Sequence, residues 1–296
     1  MSVPPLATVT IEPLVRAALV EDLGRAGDLT TDTIVPADAH AETALVARQP
    51  GMVAGLDPAR LAFQLIDPAI VVGVERHDGG RVSPGDVIAT VTGPARGILG
   101  AERVALNFLC HLSGIATATA SLVEAVRGSR ARITCTRKTT PGLRALQKYA
   151  IRVGGGANHR FGLDDAVLIK DNHIAVAGGI RPAVERARGA IGHMVKVEVE
   201  VDTLTQLEEA LAARIDAVLL DNMSLDDLLS AVALVGGRAI TEASGGITPV
   251  TAAAVAATGV DLISVGWLTH SVTALDIGLD HRDGARTRDR RQSRCR

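Results

Sequence analysis

Cysteine is scarce and scattered: Cys110, Cys135 and Cys295 are the only three in 296 residues. An odd number at irregular spacing makes neither a disulfide framework nor a zinc ligand set. A reducing, cytoplasmic compartment is therefore the expectation. No apolar run reaches about 18 residues, so no membrane-spanning helix is expected. The first ten residues lack a basic flank followed by an apolar core, the pattern of a signal peptide. Lysine is scarcer still relative to arginine. Of 31 basic residues, only Lys138, Lys148, Lys170 and Lys196 are Lys. Where a surface cation suffices, this sequence uses Arg, which makes the four lysines candidates for positions that need a compact ammonium.

What is present is an ordinary folded composition, 47% hydrophobic and 22% charged. The length allows one large domain or two modest ones, and a chain of this size needs no disulfide or metal to hold its core. The net charge of −2 is unevenly spread: the last 16 residues carry seven Arg and two Asp, leaving an acidic body. An acidic body is a poor partner for nucleic acid, so none is expected.

The first third reads as mixed α and β. Ile11 to Leu23 and Pro58 to Ile66 suit helices, and Thr43 to Arg48, Ile70 to Val74 and Val87 to Val91 suit strands. Gly97 to Val126 has long helical periodicity, with a break expected near Ser113-Gly114. From Ala131 the pattern changes to short β-branched runs alternating with Ala/Leu-rich helical runs. The six runs are Arg132–Thr136, Ala166–Ile169, Val195–Val201, Ala217–Leu220, Ala239–Thr241 and Leu262–Val265. Such alternation implies a parallel sheet with helices outside it, either a closed or nearly closed βα barrel or an open doubly wound sheet. No dinucleotide-type glycine fingerprint follows the first strand, which favours the barrel.

In a βα barrel, chemistry sits at the C-terminal strand ends. Here those ends carry Thr136-Arg137-Lys138, Lys170-Asp171-Asn172-His173, Glu198 with Glu200, Asp221-Asn222, Ser244-Gly245-Gly246 and Ser264-Val265-Gly266. One polar ending means little; six form a ring around one mouth. Thr140-Pro141 can begin a helix, which would set Arg137 and Lys138 beside a helix N-terminus, an arrangement that favours an anion. Lys196, Glu198 and Glu200 alternate with valines, so the charges share the barrel-interior face. Gly154 to Arg160 reads either as a mobile loop able to close over an anion or as a plain surface loop. The glycine turns after the last two strands suit a phosphate. The ring asks for a substrate with several anionic groups, a phosphorylated sugar among them.

Taken together, several motifs resemble quinolinate phosphoribosyltransferase: Glu102-Arg103-Val104-Ala105-Leu106-Asn107, Ser113-Gly114-Ile115-Ala116-Thr117, the run from Thr136 to Arg144, Lys170-Asp171-Asn172-His173, Glu198 to Val201, Asp221-Asn222 and Ser244-Gly245-Gly246. The resemblance spans about Leu14 to Leu279. It implies an N-terminal open-faced α/β sandwich over 1–110, to which the chain can return near its C-terminus. An incomplete seven-stranded parallel α/β barrel over 111–280 follows, and the basic tail over 281–296 is expected to lack fixed structure. The implied reaction joins quinolinate to phosphoribosyl pyrophosphate, giving nicotinate mononucleotide, pyrophosphate and CO₂ for NAD synthesis.

Residue by residue, the resemblance implies that Arg137, Lys138, His159 and Arg160 surround the quinolinate carboxylates, with Thr136 beside them. Lys170 would lie between substrate and pyrophosphate. Glu200 and Asp221 would face the ribose and hold Mg²⁺, directly or through water, and Ser244, Gly245, Gly246, Ser264 and Gly266 would take the 5′-phosphate. Lys138, Lys170, Glu200 and Asp221 are the expected catalytic set. A homodimer with shared sites, or a higher oligomer, is implied, with Arg103 serving the neighbouring subunit. Cys110-His111 departs from the expected pattern. The rival readings are a related phosphoribosyltransferase for another carboxylated heterocycle, a Schiff-base aldolase using Lys170, and a nucleic-acid binder acting through the Arg-rich tail.

Overall fold

In a computed structural model of the protein, residues 3–282 are described. The chain divides into two compact units, Pro4–Gly114 with the segment from Ala274, and Ile115–Thr273. The division falls within a helix at Gly114, where the sequence reading placed it at 110.

The first unit begins with α1 (Thr8–Leu23), whose Ile11, Val15 and Leu19 form a buried stripe at helical spacing. A short α2 (Leu29–Ile34), absent from the sequence reading, is capped by Asp28, whose carboxylate accepts the Thr31 N–H at 2.9 Å. There follow β1 (His40–Ala47), β2 (Gly51–Met52), α3 (Leu56–Ile66), β3 (Val71–Val74), β4 (Arg81–Val82), β5 (Val87–Pro94) and α4 (Ala95–Ala125). Strand β5 pairs antiparallel with both β1 and β3, while β2 and β4 form a separate ribbon.

Helix α4 is uninterrupted, contrary to the break expected at Ser113-Gly114. The Ser113 hydroxyl bonds outward to the backbone of Ala54, accepting its N–H at 3.0 Å and reaching its carbonyl at 3.2 Å. Flanking Leu112 and Ile115 are fully buried, so tertiary packing overrides the weak local propensity. By length and by a mean hydropathy of 1.4 over its most apolar stretch, α4 could cross a membrane, although the sequence has no uninterrupted apolar run of that length. Half of that stretch is buried inside the protein, with Ile98, Leu109 and Leu112 at zero or near-zero exposure, so it is a core helix.

The second unit alternates strand and helix: β6 (Arg132–Thr134), α5 (Arg144–Val153), β7 (Val167–Ile169), α6 (Asp171–Ala177), α7 (Ile180–Ala190), β8 (Val197–Val201), α8 (Leu204–Ala212), β9 (Ala217–Asp221), α9 (Leu225–Val235), β10 (Ile240–Ser244), α10 (Ala252–Ala257), β11 (Leu262–Ser264) and α11 (Trp267–His270). Five of the six strands lie within two residues of the runs read from the sequence, and β10 continues three residues past its run, to Ser244. All six form one parallel sheet in the order β6-β11-β10-β9-β8-β7. Among the described residues the barrel therefore has six paired strands where seven were expected. At the β6 edge a single parallel bridge, Thr134 to Ala157, stands where another strand would pair.

In β8, Val197, Val199 and Val201 are buried, and Glu198 and Glu200 take the alternate positions. The register sets Glu200 level with Leu219, and Leu219 level with Glu242. Two residues further along, Asp221 is level with Ser244.

The chain ends, among the described residues, with β12 (Ile277–His281), which pairs antiparallel with β1 and completes a first-unit sheet of order β12-β1-β5-β3. His281 pairs with Thr43, and the Arg282 N–H bonds to the Glu42 carbonyl at 2.9 Å. Residues 281 and 282, expected to belong to the tail, are thus paired with β1, because backbone pairing is indifferent to the charge on the side chains. From residue 283 on, that tail lies outside the described residues.

Candidate active site

The C-terminal ends of the parallel strands surround a cavity of about 350 Å³. Of the residues singled out from the sequence, Thr136, Arg137, Lys138, His159, Arg160, Lys170, Glu200, Asp221, Ser244 and Ser264 line it. Leu168, Leu219 and Glu242 complete the lining. Arg103 lies in the first unit, on α4, and is not among the lining residues.

One group is cationic. Arg137 and Lys138 follow β6, and Thr136 fixes that corner by accepting the Lys138 N–H at 3.0 Å. Arg160 anchors one arm of its guanidinium on the Ala166 carbonyl at 3.0 Å. The Nε atoms of both Arg137 and Arg160 are buried without any hydrogen-bond partner. Burial, then the Arg137 charge, pushes Arg160 below its usual range. A buried guanidinium stays charged, so two unpaired donors side by side form a place for an anion.

The other group is acidic. Glu200 is ion-paired with Lys170. The Lys170 backbone N–H donates to His173 Nδ1 at 2.9 Å, which seats the start of α6. Asp221 accepts Asn222 Nδ2 at 2.7 Å, and Asn222 holds a left-handed backbone with φ of 53°. Its N–H reaches the Ser244 carbonyl at 2.9 Å. Gly245 is required there: φ is 100°, and a Cβ would lie 2.0 Å from Asn222 Oδ1. Gly245, Gly246 and Gly266 adjoin the lining without being part of it. A Cβ on Gly266 would come within 3.1 Å of Lys138 Cδ. The Trp267 indole N–H bonds to the Ile247 carbonyl at 2.8 Å, tying together the last two strand-end turns.

His159 lines the cavity, but both of its ring nitrogens are engaged within the protein. Nδ1 accepts the Arg160 N–H at 2.7 Å, and Nε2 lies 3.0 Å from Glu198 Oε2 and 3.7 Å from Glu242 Oε1. In this arrangement it holds the segment that carries Arg160, rather than offering a ring nitrogen to a substrate carboxylate.

Several expectations need correction. Thr140 caps no helix: α5 begins at Arg144, and Thr140 is bonded through its N–H and hydroxyl to the buried Gln147 side chain at 3.0 and 2.9 Å. The glycine segment is not a loop free to close, since a Cβ on Gly154 would sit 2.6 Å from both the Ala116 carbonyl oxygen and Thr119 Cβ of α4. Lys196 shares the face of Glu198 in the sequence pattern, yet it precedes β8 and pairs, well exposed, with Asp216 at the opposite end of the sheet. Lys148 is buried behind the site, donating to the His159 carbonyl and Cys135 Sγ at 3.0 Å each. Cys110 belongs to the first unit, where burial pushes its thiol up and Sγ sits 3.6 Å from the Ile277 carbonyl; burial likewise lowers His111.

The site residue that sequence reasoning missed is Glu242. A strand period of two, counted back from Ser244, would have found it. The same step back from Asp221 and Lys170 gives Leu219 and Leu168.

Residues 28–113 match the quinolinate phosphoribosyl transferase N-terminal domain, and residues 115–280 match the C-terminal domain. The chain belongs to the quinolinate phosphoribosyltransferase family. It is 49% identical over 273 residues to the Mycobacterium leprae nicotinate-nucleotide pyrophosphorylase [carboxylating], covering 90% of this chain and 95% of that protein. A probable enzyme of the same name from Bacillus subtilis is 45% identical over 270 residues, covering 91% and 93%. The crystal structure of NadC from Streptococcus pyogenes superposes with a TM-score of 0.90 at 42% identity, covering 95% of this chain and all of that one. The two quinolinate phosphoribosyltransferase domains meet where the chain divides, and the N-terminal α/β sandwich and C-terminal α/β barrel are the family's architecture.

Proposed function

We propose that this chain transfers phosphoribose from phosphoribosyl pyrophosphate to the ring nitrogen of quinolinate, releasing pyrophosphate and CO₂ and forming nicotinate mononucleotide for NAD synthesis. The observation that carries this reading is the pair of buried, unpartnered guanidinium Nε groups in a cavity that also holds Glu200 and Asp221. Quinolinate supplies two adjacent carboxylates for the cations, and the sugar supplies hydroxyls and a developing positive charge for the acids. Holding both carboxylates through Arg137, Lys138 and Arg160 aims the ring nitrogen at C1 of the sugar. As the bond to pyrophosphate breaks, C1 becomes cationic, and the fixed carboxylates stabilise it electrostatically. The product nitrogen is cationic and draws electrons from the neighbouring ring carbon, so the 2-carboxylate departs as CO₂. Lys170, held by Glu200, is the proposed partner of the leaving pyrophosphate. The turns at Gly245-Gly246 and Gly266 are the proposed seat of the 5′-phosphate.

Glu200 and Asp221 offer hard carboxylate oxygens, each with one oxygen already engaged, which suits a magnesium ion that keeps most of its waters. Bound there, magnesium supplies charge neutralisation to the pyrophosphate. The protein is proposed to work in the cytoplasm as a homodimer in which Arg103 serves the partner's cavity. Against a Lys170 Schiff base stands its ion pair with Glu200, since an attacking amine must be uncharged.

The test is purified protein with quinolinate, phosphoribosyl pyrophosphate and Mg²⁺, followed for the mononucleotide; its absence defeats the reading. Sharing between subunits is tested by co-expressing Arg103→Ala with Lys138→Ala. A random mixture should regain about one quarter of wild-type activity, because in each mixed dimer one site collects both lesions and the other none. Mixed dimers that stay inactive would place Arg103 in its own chain's site.

A further inference from the structure

Glu242 has no part in the mechanism above, yet it lines the cavity and is 1% exposed. Its Oε1 is buried without a hydrogen-bond partner. Facing it are Glu198 from β8, His159 from the segment after α5 and Ser264 from β11, with the Lys148 ammonium behind His159. His159, Glu198 and Glu242 bring three possible ligand atoms within 4.8 Å, the spacing of a metal site. The tautomer argues otherwise. Nδ1 of His159 accepts the Arg160 N–H at 2.7 Å, so the ring proton is on Nε2, aimed at Glu198 3.0 Å away. A metal would need that nitrogen bare.

The cluster is thus a place for protons. Burial works against a charged His159, but the Glu198 hydrogen bond and the two carboxylates outweigh it and raise its pKa. Burial first, then the Glu198 charge, raises Glu242 to about 7. Both groups compete for one extra proton. Because Nδ1 is occupied as an acceptor, that proton falls to Glu242. A buried carboxylate with a bare oxygen is costly, whereas a carboxylic acid there is neutral and carries a proton it can donate.

We propose that Glu242 is the acid that protonates ring carbon C2 of the product. The assignment rests on the phosphoribosyl transfer proposed above. When the bond from C2 to its carboxylate breaks, CO₂ leaves and the electron pair stays on C2. That pair takes the proton of the Glu242 O–H, and the O–H electrons remain on the new carboxylate. The His159 Nε2–H, 3.7 Å from Oε1, then stands beside that charge. Solvent restores the proton after product release. The location fits: C2 lies between the ring nitrogen bonded to ribose and the carboxylates held by the cations. Glu242 faces His159 and stands on β10, which pairs with β9, the strand that carries Asp221.

The test separates the two steps in a single turnover of Glu242→Gln, with pyrophosphate reporting transfer and nicotinate mononucleotide reporting decarboxylation. Pyrophosphate release should stay within about threefold of wild type while mononucleotide formation falls about 10²-fold, the usual worth of a general acid. Quinolinate mononucleotide should accumulate. Glu242→Asp, which keeps an acid but withdraws it, should show the same split at smaller size and carries the test if the Gln variant does not fold. Equal slowing of both steps in the variants, or no slowing of either, overturns the assignment. Wild type that releases no pyrophosphate would instead overturn the transfer reading itself.

Discussion

At the N-terminal end of the parallel sheet, Asp216 accepts the Val197 N–H at 2.9 Å, Arg188 at 3.0 Å and Lys196 at 3.1 Å. Asp261 accepts the Thr241 N–H and hydroxyl at 2.9 and 2.8 Å and is ion-paired with Arg130. At the C-terminal end of the same strands, the same kinds of side chain are left short of partners. Arg137 and Arg160 keep buried Nε groups unbonded, and Glu242 keeps an unbonded oxygen. Composition does not distinguish the two ends; completeness of bonding does. Charges that satisfy one another fasten loops to strands. Charges that do not are held in place by the fold for something that arrives, at a standing cost in desolvation.

The sharpest way to break this contrast is to offer a ligand that cannot complete the unfinished end. Nicotinic acid lacks the 2-carboxylate, so it would leave a buried guanidinium unpaired. A site built around a polar group rejects the analogue lacking it by about 10⁴-fold or more, and kcat/KM for nicotinate relative to quinolinate should fall that far. Comparable turnover of the two acids would mean that the unpaired guanidinium groups are not the quinolinate clamp.

Removing a charge from the same end gives a smaller effect. Arg137→Ala should weaken quinolinate binding about 10- to 100-fold, the worth of one charged hydrogen bond at roughly 1.5–3 kcal/mol. The melting temperature should not fall, since the substitution removes a buried unpaired donor and a like charge beside Arg160. Calorimetry showing unchanged affinity, or a clear loss of stability, would put Arg137 in the same class as the satisfied charges below.

The satisfied end should answer in the opposite way. Asp261→Ala leaves the N–H of Thr241, a residue only 3% exposed, without its acceptor. The expected cost is about 1–3 kcal/mol of stability, a melting temperature lower by roughly 2–4 °C per kcal/mol for a domain of this size. kcat/KM should stay within about twofold. A large loss of activity at unchanged stability would erase the distinction between the ends.

Much of this was legible in the sequence because strand ends are marked by a switch from β-branched to polar residues. All six parallel strands were placed this way, and with them eight of the residues that line the cavity. What escaped was position along the third dimension. Alternation grouped Lys196 with Glu198 and Glu200 but could not say that it stands before β8, at the far end. Reading only the ends hid Glu242, one strand period below Ser244. Thr140-Pro141 has the signature of a helix start, but Gln147, seven residues on, claims the groups that a cap would use. Gly154 illustrates a general ambiguity: a glycine kept for close approach to another helix reads the same as one kept for mobility. Each of these depends on contacts between residues far apart along the chain or on height along a strand, neither of which a local pattern encodes.

The smallest expected effect concerns acid stability at the satisfied end. Burial works to raise the Asp216 carboxyl, but the Val197 N–H, Lys196 and Arg188 outweigh it and hold it below its ordinary 3.8. A carboxyl whose folded pKa lies below its unfolded value stabilises the folded state above the unfolded value, and that contribution is lost as pH falls through the folded one. Asp216→Asn should therefore be less stable than wild type at neutral pH, with a gap that closes as the solution is acidified from about pH 4 downward. Urea midpoints measured for both proteins from pH 7 to pH 3 read this directly. A gap that persists unchanged to the acid end would show that Asp216 acts through its neutral hydrogen bonds to the loop rather than through its charge, and the bonded end of the barrel would then owe its stability to backbone capping alone.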